Sequence, residues 1–202
     1  GYKTIGKPAG IWDRLLTEYC LGKRKSVVWA IGELEEDGSG NKDLDDVVTM
    51  LYVKQLNRKE ILDALKAGRC YVTFKIGKRI PLMLEEFTVT NESGEKKVTM
   101  GEEVSLSGDP LIKIRISHEQ PIAKDFTVNL IRNNEIIKEF NGRSQLYIEY
   151  KDAGLSEGKR YYYRLDVISS DGNQLVSNPI FFKKMHSASG EGGSIVSQDK
   201  TK

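Results

Sequence analysis

Seven carboxylates crowd one stretch of the chain: Glu33, Glu35, Glu36, Asp37, Asp43, Asp45 and Asp46. Clustered side-chain oxygens suit hard divalent cations. The alternation of Asp37, Ser39, Asn41, Asp43 and Asp45 has the rhythm of a calcium loop. Two diagnostic positions break it. Lys42 stands where such a loop needs glycine for its sharp turn, and Val48 where it needs a bidentate glutamate. A solvated acidic turn is therefore the default reading. Other chemistry is sparse. His118 and His186 are the only histidines, and no H-x-H, H-E-x-x-H or C-x-x-C pattern occurs, which removes the histidine- and cysteine-based zinc sites. There is no G-x-S-x-G elbow, P-loop or dinucleotide fingerprint. His118 reads as a surface residue at a strand end, and His186 belongs to a polar tail that cannot hold coordination geometry.

The acidic stretch must be positioned by the apolar run before it, Val27-Val28-Trp29-Ala30-Ile31. A continuous run of this kind suits a strand covered on both faces, and α/β folds place ligands beyond the carboxyl ends of such strands. Upstream, Ile11, Trp12, Leu15, Leu16 and Tyr19 follow helical spacing, with Gly22 as a stop. Downstream, Val47–Val53 is a second strand-like run, rich in β-branched and aromatic residues. A well-marked helix follows. Asn57 is its N-cap with Glu60 three residues on, Ile61, Leu62 and Leu65 form its apolar face, and Gly68 ends it. Cys70–Phe74 then returns as a strand. Arg69, at the start of that strand, is placed to reach an anionic substrate; capping or a surface ion pair is the blander reading.

After Gly77 strand alternation takes over, as in Ile112, Ile114 and Ile116 or Phe126, Val128 and Leu130. Turn signals separate the runs, among them Asn133-Asn134, Asn141-Gly142 and Asp171-Gly172. Short alternating strands at this spacing predict an antiparallel β-sandwich. Leu155, Gly158 and Tyr161 resemble a tyrosine corner, whose phenol bonds back to nearby backbone. Tyr161-Tyr162-Tyr163 could alternatively offer an aromatic sugar platform, but alternation splits the three between two faces and favours packing.

Bulk properties narrow the class. The 202 residues suffice for one or two domains, and 39% hydrophobic with 30% charged residues describes an ordinary soluble protein. A net charge of +2 gives no field that would draw in nucleic acid, and no apolar run reaches membrane-spanning length. Cys20 and Cys70 form no framework and read as reduced thiols, with a pairing between them left open. The chain starts at Gly1, which reads as a trimmed N-terminus and leaves the compartment open.

Several stretches, taken in order, carry a family likeness: IWDRLL followed by VVWAIGELEEDG; NRKEILDALKAGRCYVTF; then LIKIRIS, VNLIRNNEIIKEF and YYYRLDVISSDGNQLVSNPIFF. Together they resemble the C-terminal end of metal-dependent phosphoesterases of the PHP (polymerase and histidinol phosphatase) superfamily. The likeness is to a branch whose distorted barrel is followed by a β-sandwich. The resemblance implies an α+β fold in three parts. Residues 1–76 would be the C-terminal remnant of an α/β PHP-like barrel, 77–184 an immunoglobulin-like antiparallel β-sandwich, and 185–202 a disordered tail. In the family an Asp-x-His-Gly motif near the barrel's end supplies metal ligands; here the positions read Glu35-Glu36-Asp37-Gly38. Glu35 replaces the expected Asp and Asp37 the expected His, so oxygen donors remain but the imidazole is gone. The family's other ligands belong upstream of Gly1.

The implied function is a C-terminal fragment of a metal-dependent phosphoesterase, inactive by itself and without a catalytic residue of its own. Divalent metals of the zinc, manganese or iron class would belong to the parent and be poorly held by the fragment. Glu35 and Asp37 would be degenerate metal positions, and Arg69 a substrate contact. The upstream barrel segment and a phosphorylated small molecule are the expected partners. The alternative, from a different class, is a noncatalytic sandwich that binds a glycan or protein.

Overall fold

The computed structural model describes residues 7–32, 46–75, 81–91, 93–94, 96–118, 120 and 124–186. Within these lie two helices, α1 (Ile11–Cys20) and α2 (Arg58–Ala67), and twelve strands. The strands are β1 (Val47–Leu51), β2 (Cys70–Phe74), β3 (Leu82–Thr90), β4 (Lys97–Thr99), β5 (Glu103–Leu106) and β6 (Leu111–His118). They continue as β7 (Asp125–Arg132), β8 (Glu135–Arg143), β9 (Leu146–Lys151), β10 (Arg160–Ser169), β11 (Gln174–Ser177) and β12 (Ile180–Lys184). They form an eight-stranded and a four-stranded sheet.

β10 is the axis of the larger sheet. Along one edge it pairs with β12 through Arg160–Tyr163 and with β11 through Asp166–Ile168; along the other it pairs with β7, which carries β8. The smaller sheet runs β4-β3-β6-β9. Alternation explains why the two sheets stack: Phe87, Ile112 and Ile114 from one face meet Val128, Leu130 and Leu165 from the other in a single core. The β-sandwich read from the pattern after Gly77 is present. Asn133 and Asn134 both take positive φ in the two-residue β7–β8 turn, a conformation asparagine tolerates well.

The tyrosine corner is also there. The Ser156 amide donates to the Tyr161 hydroxyl at 2.9 Å, Leu155 is buried, and Gly158 has φ +76°.

The front of the chain corrects the expected fold class. Residues 1–76 do not form an α/β barrel remnant in the described residues, because the ladders there are antiparallel. β1 pairs antiparallel with β2, and β2 pairs antiparallel with β11, so this hairpin extends the larger sandwich sheet. The reason lies at Gly68. The helix ends there in the left-handed conformation and only Arg69 separates it from β2. The Tyr52 amide donates to the Arg69 carbonyl at 2.9 Å, so β2 starts beside the end of β1 rather than crossing back to run parallel. The Asn57 cap holds as read, with its side chain accepting from the Glu60 amide at 2.9 Å. Val27–Ile31, expected as a central strand, forms no strand. It lies with α1 as a third layer over the outer face of the larger sheet. Trp12, Leu16 and Ala30 pack there on Val72, Val176 and Phe181.

Candidate functional site

The outer layer is joined to the larger sheet by a buried charge cluster. α1 brings Asp13 onto β10, where alternation points Tyr162, Arg164 and Asp166 away from the sandwich core. Arg164 is fully buried and grips Asp13 with two bonds, Nε to Oδ1 at 2.6 Å and Nη2 to Oδ2 at 2.7 Å. The Tyr162 hydroxyl donates to Asp13 Oδ1 at 2.9 Å and accepts from the Asn134 amide at 2.8 Å. Burial and the neighbouring Asp13 carboxylate push the Tyr162 phenol well above its ordinary range. Trp12 covers the guanidinium, with its ring centroid 5.1 Å away. Asp13 and Arg164 neutralise each other and fasten the helix to the strand.

A second fastening centres on Asn178, between β11 and β12. Its Oδ1 accepts from the Ala30 amide at 2.8 Å, and its Nδ2 donates to the carbonyls of Ala30 at 3.0 Å and Cys70 at 3.1 Å. The side chain thus stands in for a neighbouring strand and satisfies the backbone of a segment that has no ladder. Trp12 donates to the Val28 carbonyl at 2.8 Å and Trp29 to that of Lys66 at 3.0 Å. Gly68 is required twice: its φ of +72° suits glycine, and a Cβ there would stand 2.3 Å from the Trp29 ring.

The β1–β2 hairpin fixes both stems of the acidic stretch. The Gly32 amide donates to Thr49 Oγ1 at 2.8 Å, and a Cβ on Gly32 would meet Val47 at 2.8 Å. The Lys75 amide holds the Asp46 carbonyl at 2.9 Å. Glu35 and Asp37, the two expected metal positions, lie outside the described residues. Arg69 is described and half-buried; its amide donates to the Ala64 carbonyl at 2.9 Å and closes the α2 C-terminus. No group of three or more His, Cys, Asp or Glu side chains is placed to hold a metal among the described residues.

Four further groups depart from ordinary behaviour. His118, expected on the surface, is only 5% exposed and stacks on Phe126 at 5.0 Å between centroids. Neither ring nitrogen has a hydrogen-bond partner, and burial holds its pKa below the usual value. Asp166 is pushed up to about 6, chiefly by burial, with Arg164 opposing and Asp13 reinforcing the shift. Cys20 and Cys70 are free thiols; burial pushes Cys20 up to about 12 and raises Cys70 as well, so neither is an activated nucleophile. An open groove of about 600 Å³ runs beside the β7–β8 edge, and the Asp125–Arg143 ion pair at 3.0 Å lies on its wall.

Asp13, Arg164 and Asn178 were not singled out from the sequence. The signal for Arg164 was its place at an outward position among the alternating residues of β10, which implied either an exposed charge or a covering element. The chain matches no protein-family model and no curated protein.

Proposed function

We propose that this chain is a noncatalytic C-terminal module of a metal-dependent phosphoesterase like those of the PHP superfamily, with the hydrolytic metals held elsewhere in the parent. One observation carries the reading. The stretches that bear the family likeness, from IWDRLL and VVWAIG through KAGRCYV to SNPIFF, are the ones that Asn178, Trp12, Trp29 and Gly68 tie into one layer. Motifs far apart in sequence that meet in one structure are what a shared module would conserve as packing.

The described residues do not fit the implied metals. At the stems of the acidic stretch they offer Gly32 and the single carboxylate of Asp46. A hydrolytic metal needs several converging ligands, so no hydrolytic step is assigned to this chain. The module's role is to anchor the two stems of the acidic stretch, Gly32 on Thr49 and Asp46 on Lys75.

The test has two arms. The purified chain with manganese or zinc is expected to leave bis(p-nitrophenyl) phosphate and p-nitrophenyl phosphate intact. The same chain joined to its upstream reading frame is expected to hydrolyse at least one of them. Metal-dependent turnover by the chain alone, lost in Glu35→Ala and Asp37→Ala, would overturn the proposal. So would an upstream frame that lacks an H-x-H motif and confers no activity.

A further inference from the structure

β1 is an edge strand whose free side is unusually well defined. The Lys75–Asp46 and Tyr52–Arg69 backbone bonds, with the register from Val47↔Phe74 to Leu51↔Cys70, fix the pattern of the ladder. Asp46, Val48, Met50 and Tyr52 bond inward to β2. The N–H and C=O groups of Val47, Thr49 and Leu51 therefore face outward, and no described strand pairs with them. Natural edges are guarded by charge, proline or bulges. β8, another edge of the same sheet, carries Glu135, Lys138, Glu139 and Arg143. Val47–Leu51 carries none of these devices.

Charge is concentrated just beyond the strand's two ends. Asp46 has a buried Oδ1 without a hydrogen-bond partner, and Lys54 is exposed. The two lie equally far from Met50 along the chain. We propose that β1 pairs antiparallel with the β1 of a second copy about a twofold axis at Met50, so that Asp46 of each copy faces Lys54 of the other. In this register residues of equal parity oppose one another. The outward groups of Thr49 then meet those of Leu51 across the axis, and Val47 lies opposite Val53, two residues past the strand's end. The faces also match: Met50 and Tyr52 pack toward the sandwich core, and the same face continues into the second copy. The end charges select this occupant, because only antiparallel self-pairing satisfies both with one contact repeated twice. The contact is short, so the dimer dissociates on dilution.

Sedimentation velocity on the full chain is expected to show a monomer–dimer equilibrium that shifts with concentration. Asp46→Lys and Lys54→Asp should each weaken it by about tenfold, through lost attraction and new repulsion at both ends. The double reversal should restore it. Met50→Cys should form a cross-linked dimer on mild oxidation, since residues at a non-hydrogen-bonded antiparallel position lie ~4.5 Å apart at Cα. The unsubstituted chain, with only Cys20 and Cys70, should not. Melting curves of each variant at low concentration separate misfolding from lost association. A monomer at every concentration would overturn the proposal, as would a dimer indifferent to the single reversals or a Met50→Cys chain that fails to cross-link.

Discussion

The Asp13–Arg164 couple illustrates how a buried charge pair stabilises only conditionally. Each partner alone would be an uncompensated ion under Trp12, and removing one of such a pair costs about 3–5 kcal/mol, whereas replacing both by apolar side chains can be neutral. Two residues along β10, Asp166 lacks that arrangement. It stands directly across from Asn129, whose buried Oδ1 has no hydrogen-bond partner. The folded chain therefore keeps a proton on Asp166, with a pKa raised from 3.8 to about 6, that the unfolded chain releases earlier. The stabilising effect is complete below the unfolded value and is lost as pH rises through about 6. Asp166→Asn is thus expected to stabilise the protein at pH 7.5 by roughly 1–2 kcal/mol and to gain almost nothing at pH 4. Urea midpoints at the two pH values check it, and an equal effect at both would refute the sign. His118 runs the other way. Its pKa is depressed by burial, so its contribution is full above the unfolded histidine range and falls away as the solution is acidified.

At the scale of elements, Asn178 does for Val27–Ile31 what a neighbouring strand would otherwise do. Asn178→Ala removes three hydrogen bonds of 2.8–3.1 Å to buried backbone. The expected loss is about 2–4 kcal/mol, because the freed groups of Ala30 and Cys70 stay out of water. Amide exchange should quicken at Ala30 far more than at Ile114 in the sandwich core; equal protection at both would show that the segment is held by packing alone. This element also marks what the sequence could and could not tell. Strand alternation after Gly77, the Asn57 cap, the Gly68 stop and the Tyr161 corner all follow local rules, and all were legible. Val27–Ile31 was misread because an apolar run looks the same whether a ladder or a single amide and a helix cover it. The antiparallel β1–β2 pairing is a ladder between segments separated by a helix, closed at its ends by the Lys75–Asp46 and Tyr52–Arg69 bonds, and no periodicity encodes it. At the candidate site, Arg69 was placed correctly beside the α2 stop, while the Asp13–Arg164 grip joins residues 151 positions apart and left no local trace.

For the whole molecule, the larger sheet belongs to two cores at once. Its inner face packs on the four-stranded sheet and its outer face on α1 and the segment after it. No helix among the described residues is long and apolar enough to cross a membrane. A chain beginning at residue 46 would keep every described strand yet bare Val72, Ile131, Val176 and Phe181, together with an Arg164 guanidinium that has lost Asp13 and Trp12. It is expected to be less stable and to aggregate, since a contiguous apolar patch of that kind invites association. Soluble expression and light scattering against the full chain decide the point; a well-behaved monomer of equal stability would show the outer layer to be dispensable.

The same division of labour has an optical consequence. Both tryptophans, Trp12 and Trp29, belong to the outer layer, whereas Tyr71, Tyr161 and Tyr163 sit in the sandwich core. Indole emission therefore reports on the layer alone, whereas near-ultraviolet tyrosine dichroism is shared between the sandwich and Tyr19 and Tyr162 of the layer. An indole signal that fades ahead of the last of the tyrosine signal therefore reads out the layer letting go before the sandwich.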